Sequence, residues 1–308
     1  MDLTTDVFRP AVIRVAHDPR VRALVTGTTP GRAVASRFVA GDTLAGAMQA
    51  AAMLDREQIA TMLDHLGENV GTPAQAEAAR DDYLAALKAL RDAPTLDGAV
   101  SVKLTQLGLD LSEDLCREHL DAILRAADAQ ATLVMIDMEG HGYVDRTLEV
   151  FRATHAEHPR VGVCLQSYLR RSDADVFALP QGCRIRLVKG AYLEPPGVVY
   201  TDKREVDASY ARLFATLLAR GHAVDAATQD PRLLEGVRTR TDAREAWGRV
   251  ELQMLYGIRR DLQVRYASQG YPVRVYVPYG TEWYPYLTRR MAERPANVWF
   301  FLSNLVRV

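Results

Sequence analysis

The chain has 308 residues, of which 48% are hydrophobic and 25% are charged. A chain of this kind buries a large core, in one large α/β domain or in two ordinary ones, and its formal net charge of −1 excludes the basic field typical of nucleic-acid-binding proteins. The three cysteines are odd in number and show no CxxC spacing, so we expect neither a disulfide framework nor a structural metal site.

The first predicted elements are extra helices, which form an N-terminal arm over residues 1–57. The opening segment MDLTTDVFRP lacks the basic and then apolar pattern of a signal peptide. No stretch approaches the roughly 18–20 apolar residues that cross a bilayer, so we expect a cytoplasmic protein. The glycine cluster GTTPG at 27–31 has neither a GxGxxG pattern nor a Walker lysine, and we interpret it as a turn.

Short runs rich in Val, Ile and Leu, the pattern of buried parallel strands, then recur along the chain. Helical patterns separate them, among them 74–91, 112–127 and 205–220. Ser112 is the start signal of the second of these patterns, and Gly221 is the stop signal of the third. The strand-like runs lie at 59–65, 99–105, 131–138, 160–167, 184–188, 222–228, 249–254 and 273–277.

Eight strands that alternate with helices indicate a (β/α)8 TIM barrel at residues 58–308, and a single domain over residues 1–308. A doubly wound open sheet is the alternative fold. That fold is expected to carry a glycine fingerprint for a nucleotide after its first strand, and the sequence contains none there.

Polar residues concentrate where the predicted strands end, which in a barrel is the rim that carries the functional site. Because a buried charge has to be paired or neutralised, two interpretations stay open. The residues form a structural ion network that closes the barrel mouth, or their excess of cations attracts an anionic ligand. They are Asp64, Lys103, Asp137, Gln166, Arg186, Lys189, Thr228, Gln253 and Tyr276.

Histidines and nucleophiles give weaker signals. His155 and His158 form an HxxH pattern at a helix end, but no third ligand lies within sequence reach, so we expect no bound metal. His141, in a loop after a strand, is a further candidate for lining the site. No GxSxG elbow and no Cys–His arrangement indicates a catalytic nucleophile.

Six segments carry a more specific signal. They are SVKLTQLG (101–108), IDMEG (136–140), LQSYLRR (165–171), RLVKGAYLEP (186–195), QMLYGIRRD (253–261) and YVPYGTEWYPYLTRRMAERPAN (276–297). In their order and spacing they resemble proline dehydrogenase, the flavoenzyme of proline catabolism, in its monofunctional bacterial form. The resemblance runs from about residue 37 onward, and it implies a distorted barrel that binds FAD non-covalently without a Rossmann fold. It also implies a final helix across the barrel mouth.

The resemblance implies roles for individual residues as well. Lys103, Arg289 and Arg290 would hold the proline carboxylate, Asp137 would lie in the active site, and Glu68 would pair with Arg289 as a gate. The proline pocket would be shaped by Tyr192, Leu255, Tyr276 and Tyr286, and FAD would be contacted by Gln166, Arg186, Val188, Lys189, Gly190, Ala191, Thr228, Gln229 and Glu293.

Two positions depart from the family pattern. Gln229 stands where the family often has a histidine, and Leu193 stands where longer relatives carry a tryptophan. Contacts on the pyrophosphate and adenosine side of FAD are therefore expected to differ from those of the family.

The implied reaction is the oxidation of L-proline to 1-pyrroline-5-carboxylate, with hydride transfer to flavin N5 and passage of the electrons to a membrane quinone. Peripheral contact with the inner face of the membrane and transient contact with a pyrroline-5-carboxylate dehydrogenase are also expected. Two other functions stay open from the residues alone. One is a lyase or aldolase with Lys103 or Lys189 as a Schiff-base amine, and the other is a non-catalytic binder of small anions.

Overall fold

The structure is a computed structural model that describes residues 18–241 and 248–293, apart from the side chains of Leu24, Pro30, Ala292 and Glu293. Its centre is a closed barrel of parallel strands in chain order, so the predicted barrel is confirmed. Leu63 lies opposite both Val100 and Val277, which closes the sheet between the first and last strands. The strands are β1 (Ala60–His65), β2 (Gly98–Val102), β3 (Val134–Ile136), β4 (Val161–Gln166), β5 (Arg184–Val188), β6 (Ala223–Ala227), β7 (Val250–Leu255) and β8 (Val273–Tyr279).

Two strands end two or three residues before their apolar runs do. The runs at 99–105 and 131–138 contain strands that end at Val102 and Ile136. The chain turns directly after β2, because the amides of Gln106 and Leu107 donate to the Lys103 carbonyl at 3.2 and 3.3 Å. Lys103 and Asp137 are therefore the first residues beyond their strands, at the carboxyl-terminal mouth of the barrel.

Helices cover the outside of the barrel. Thr72 and Gln75 form a reciprocal capping box, and Ser112 Oγ accepts from the Leu115 amide, so the predicted helix start at Ser112 is present. Within the described residues, no helix combines the length and the apolarity that crossing a membrane requires. The helices are α1 (Pro19–Gly27), α2 (Thr29–Ala35), α3 (Leu44–Asp55), α4 (Pro73–Arg91), α5 (Glu113–Asp128), α6 (Val144–His155), α7 (Ser172–Asp175), α8 (Lys203–Ala219), α9 (Pro231–Arg240), α10 (Arg260–Ser268) and α11 (Trp283–Glu293).

The final helix α11 packs on the N-terminal arm and on the rim of the barrel. Tyr276, in the middle of β8, contacts the hydrophobic cluster that joins them, and Arg22 of the arm pairs with Glu282 at 3.2 Å. The helix thus lies over the barrel mouth, as predicted. This arm–lid cluster consists of Val25, Val34, Ala35, Phe38, Val39, Leu66, Trp283, Tyr284, Tyr286, Leu287 and Met291.

Candidate active site

A buried lysine stands at the centre of the barrel mouth. The Lys103 side chain is 7% exposed, and its Nζ lies 2.8 Å from Asp64 Oδ1 and 3.4 Å from Asp137 Oδ2. Burial lowers the pKa of Lys103, but the neighbouring carboxylates, Asp64 above all, outweigh it and raise the pKa well above its ordinary value. The amine is therefore protonated and is no free Schiff-base nucleophile, which disfavours the lyase or aldolase alternative at this lysine.

Asp137 is the hub of the site. Its Oδ1 accepts hydrogen bonds from Ser101 Oγ at 2.7 Å and from Arg186 Nη1 at 2.6 Å, and its Oδ2 accepts one from Tyr276 OH at 2.8 Å. Burial raises the pKa of Asp137, but the charges of Lys103 and Arg186 more than offset this and lower it. Burial, followed by the charge of Asp137, raises the pKa of Tyr276 well above its usual value. The site thus pairs an ionised carboxylate with a neutral phenol donor.

Arg186 ties this hub to the barrel interior. Its Nε donates to Gln253 Oε1 at 2.8 Å, and its Nη1 donates to Ser101 Oγ at 3.0 Å as well as to Asp137. The guanidinium carbon lies 5.2 Å from the centre of the Tyr276 ring. Side chains from four strands and their ends therefore fix the guanidinium at the base of the mouth.

The buried charges of this network balance. Two cations, Lys103 and Arg186, face two carboxylates, Asp64 and Asp137, among the residues that the structure describes. The excess of cations expected from the strand ends is therefore not found at this depth, because Asp64 points at Lys103 from β1. An anionic ligand has to bind above the network, toward α11.

The final helix supplies cations on that upper side. Arg289 Nη1 donates to Glu68 Oε1 at 2.8 Å, and the Arg289 guanidinium carbon lies 5.4 Å from the Tyr192 ring centre. The Arg290 guanidinium carbon lies 5.3 Å from the Tyr286 ring centre. The two neighbouring arginines thus each contact one of the tyrosines assigned to the proline pocket.

Gln166 lies at the end of β4 with one half of its amide engaged. Its Nε2 donates to the carbonyls of Met138 and Glu139 at 3.3 and 3.2 Å. Its Oε1 is buried and has no hydrogen-bond partner in the described part of the chain. Val188 is the register partner of Gln166 on β5. A buried acceptor is therefore available beside β5.

The turn after β5 requires glycine. Gly190 has a φ of +115°, and a Cβ at this position would lie 2.1 Å from the ring of Tyr168. Only glycine avoids both the backbone strain and this overlap. The close approach carries Ala191 and Tyr192 from the end of β5 toward the mouth.

Lys189 lies in a balanced group of two lysines and two aspartates. Its Nζ lies 2.6 Å from Asp207 Oδ1 and 3.1 Å from Asp230 Oδ2, and Lys203 contacts the same two carboxylates. Thr228 Oγ1 accepts from the Asp230 amide at 3.2 Å. Lys189 and Thr228, two of the residues expected to contact FAD, are therefore close together, and the lysine charge is shared by two aspartates.

The remaining predicted cofactor and pocket residues occupy the ends of β6, β7 and α11. Gln229 Oε1 accepts from the Leu255 amide at 3.2 Å, so this glutamine supports the β7 end instead of facing outward. Leu193 is 51% exposed. Glu293 ends α11, and its side chain lies outside the described residues.

Two of the three histidine candidates, His141 and His158, have carboxylate partners. The His141 amide donates to Glu194 Oε1 at 2.8 Å, and its imidazole also contacts this carboxylate. His158 contacts Asp128 at 2.6 Å and Asp121 at 3.2 Å, both on α5. Across residues 18–241 and 248–293, no group of three or more potential ligands is arranged to hold a metal ion.

Three members of the network had no role assigned from the sequence. Asp64 and Gln253 do belong to the strand-end set, which is the signal that identifies them. Ser101 lies two residues before Lys103, and the alternation of a strand places both side chains on the same inner face. Their pairing partners depend on closure of the barrel, which local sequence does not specify.

Comparisons with known proteins identify the family of the chain. A family model described as Proline dehydrogenase matches residues 47–302. A proline dehydrogenase from Deinococcus radiodurans is 41% identical over 313 residues, which cover 98% of each chain. Proline dehydrogenase 1 from Bacillus subtilis (strain 168) is 37% identical over 275 residues, covering 89% of this chain and 91% of that one.

Solved structures give the same fold. A crystal structure of proline utilization A (PutA) from Bdellovibrio bacteriovorus, inactivated by N-propargylglycine, matches with a TM-score of 0.79 at 25% identity. The match covers 85% of this chain but only 33% of that longer chain. The family model, the two full-length relatives and the barrel therefore lead to one conclusion: the chain belongs to the proline dehydrogenase family and is an oxidoreductase.

Proposed function

We propose that this protein oxidises L-proline to 1-pyrroline-5-carboxylate, the first step of proline catabolism, with FAD as the hydride acceptor. One observation carries the proposal: Lys103 lies in the barrel mouth, and Arg289 and Arg290 lie on the helix above it. A carboxylate between these groups is held from two sides. Arginine can contact it bidentately, whereas the lysine offers a point charge.

The residues on the β4 and β5 side fit a flavin. The unpartnered Oε1 of Gln166 can accept from a ring N–H, and the close approach of Gly190 to the Tyr168 ring fixes the turn after β5 next to this acceptor. When bound, FAD accepts a hydride at N5. The residues that would hold it are Gln166, Arg186, Val188, Lys189, Gly190, Ala191, Thr228, Gln229 and Glu293.

Lys189 can turn to a phosphate without leaving carboxylates unpaired. Lys203 already contacts Asp207 and Asp230, so both aspartates keep a cation when Lys189 changes partner. A phosphate near Thr228 would then be contacted by Lys189, whose charge would no longer be shared with Asp207 and Asp230. This exchange explains how a charge-balanced group can still bind an anion.

The pocket residues favour the reactive form of proline. Hydride departure needs the amine lone pair, and therefore neutral proline. The two arginines of α11, placed above a charge-balanced network, disfavour an ammonium electrostatically. Tyr192, Tyr286 and Leu255 would cover the apolar ring, which orients the reacting carbon and excludes water.

The decisive experiment is optical. We expect the purified protein to be yellow, to release FAD on denaturation, and to bleach when L-proline is added without NAD. Acetate, which offers a carboxylate but no ring amine, should leave the colour unchanged. A colourless protein that takes up no FAD would overturn the proposal and would favour a non-catalytic anion binder.

The path of the electrons is part of the same proposal. We infer that a membrane quinone reoxidises the flavin during peripheral contact with the inner face of the membrane, and that the product passes to a pyrroline-5-carboxylate dehydrogenase by transient contact. We also propose that residues 1–308 act as one domain, with the arm at 1–57 serving the barrel at 58–308. Return of the yellow colour when a quinone, or a membrane preparation that contains quinone, is added to the proline-bleached protein tests the acceptor.

A further inference from the structure

The loop after β1 carries Glu68, and its backbone is fixed by the loop after β2. The Asn69 amide donates to Thr105 Oγ1 at 3.1 Å, and the Val70 amide donates to the Thr105 carbonyl at 3.4 Å. On the other side of Glu68, a Cβ at Gly67 would lie 2.5 Å from Gln106 Nε2. The backbone on both sides of Glu68 therefore rests on residues 105–106.

Thr105 is in turn anchored by a buried carboxyl group. Its Oγ1 donates to Glu139 Oε2 at 2.5 Å, and its amide donates to Glu139 Oε1 at 3.1 Å. Thr105 is fully buried and Glu139 is 2% exposed. Because the hydroxyl proton points to Glu139, a lone pair of the same oxygen faces the Asn69 amide. Glu139 thus sets the direction in which Thr105 accepts.

The hydrogen bond that the Asn69 amide donates to Thr105 Oγ1 supports an unusual backbone conformation at Asn69. Asn69 has a φ of +54°, in the left-handed region that asparagine tolerates better than most residues but still disfavours. A conformation of this kind persists where surrounding contacts fix it. Loss of the Thr105 hydroxyl removes the bond that holds the residue adjacent to Glu68.

We propose that Thr105 and Glu139 are positioning residues that hold the Glu68 carboxylate where it pairs with Arg289, and so set the affinity for a substrate carboxylate. The proposal rests on the proposed function, in which Arg289 belongs to the carboxylate clamp. Neither residue touches the substrate. Their effect reaches it through Asn69, Glu68 and Arg289 in that order.

The first test compares two substitutions at one site. Thr105→Val removes the hydroxyl with little change of shape, and we expect KM for proline to rise about five- to tenfold while kcat changes less than about twofold. Thr105→Ser keeps the hydroxyl and should restore wild-type KM. Thr241→Val is the matched control. Thr241 is also fully buried and donates to the Val237 carbonyl at 2.8 Å, but it ends α9 at the opposite rim.

The second test is a double-mutant cycle with Glu68→Gln. If Thr105 acts through Glu68, Thr105→Val should add nothing further to KM in the Glu68→Gln background. Binding of a proline analogue with oxygen in place of the ring nitrogen, measured without turnover, should show the same non-additivity. Should Thr105→Val unfold the protein, Asn69→Ala, which makes the left-handed conformation of the residue after Glu68 more costly, is expected to lower the affinity for this analogue instead.

The outcomes separate this inference from the proposed function. Independent, additive effects of Thr105→Val and Glu68→Gln, or a wild-type KM in Thr105→Val, would overturn the positioning role while proline oxidation stands. A wild-type protein that holds FAD but leaves proline unoxidised would instead defeat the proposed function. In that case the binding cycle with the oxygen analogue still decides the role of Thr105.

Discussion

Lys103 and its two carboxylates are buried together, so a substitution of one of them acts on the others. Asp64 is fully buried and lies 2.8 Å from the lysine. Removing one partner of such a pair leaves a charge in a medium of low dielectric constant, and this cost exceeds the value of the pair itself. The structural and the functional roles of Lys103 therefore need two substitutions to separate.

We expect Lys103→Met to lower the free energy of unfolding by about 3–5 kcal/mol, because Asp64 is left charged and unpaired. The double variant Asp64→Asn, Lys103→Met should recover most of this stability but keep a raised KM for proline, because the ammonium is still missing. Thermal unfolding and steady-state kinetics measure the two effects. Recovery of wild-type KM in the double variant would mean that Lys103 has only a structural role.

Glu139 makes the stability of the fold depend on pH, because burial raises the pKa of its carboxyl group to about 7. The folded state then binds the proton more tightly than the unfolded state does, so this group stabilises the fold fully below its unfolded pKa of 4.5 and loses that contribution as the pH rises to about 7. The charged and titratable groups that act on it are Lys103, Glu68, Tyr143, Tyr192 and Cys116.

Glu139→Gln removes this titration. Relative to wild type, the variant should gain about 2 kcal/mol of unfolding free energy between pH 5.5 and pH 8.5. Denaturant unfolding at several pH values measures the difference. Glu235→Gln is a suitable control, because the Glu235 carboxylate is exposed and has a lowered pKa, so its curve should stay parallel to wild type. A parallel curve for Glu139→Gln as well would contradict the buried titration.

At the scale of elements, parallel strands explain why so much of the site follows from the sequence. All strands of the barrel end at one rim, so residues that follow β1, β2 and β3 meet without any knowledge of the loops. The apolar runs locate these ends to within a few residues. The charge balance of the site cannot be predicted from these runs, because the pairing of Lys103 with Asp64 depends on how the strands tilt and close. The position of α11 follows from the family resemblance but not from the strand pattern, because its packing partners lie far away in the arm.

The helix α11 supplies the third prediction. Arg289→Lys and Arg290→Lys should each raise KM for proline strongly, on the order of tenfold or more, because an ammonium cannot replace a bidentate guanidinium. Kinetics with pyrrolidine, which lacks the carboxylate, should change little. Arg204→Lys, at an 88% exposed side chain, serves as the control. Wild-type KM in both α11 variants would indicate that this pair is only a solvated helix face.

At the scale of the whole molecule, the barrel core and the arm–lid cluster are separate hydrophobic units. Phe151 belongs to the first and Phe38 to the second, and both side chains are nearly or fully buried. The first unit maintains the barrel, and the second seats α11 above it. Damage to the two units should therefore have different consequences for catalysis and for stability.

We expect Phe38→Ala to raise KM for proline while the FAD content stays near wild type, because the seat of α11 is loosened and the barrel is not. Phe151→Ala should lower the free energy of unfolding by about 3–5 kcal/mol and lose FAD together with the fold. Flavin absorbance, thermal unfolding and kinetics distinguish these outcomes. Equal loss of FAD in both variants would contradict the independence of the two clusters.

The arm–lid cluster also affects how the protein is made. Arg22 and Glu282 pair across 260 positions, so one half of the cluster leaves the ribosome long before the other. At a synthesis rate of about 5–20 residues per second, the apolar side of the arm waits roughly 10 to 50 s for α11. During that time Val25, Val34 and Phe38 have no covering partner from α11, so the nascent chain exposes an apolar surface that the folded protein conceals.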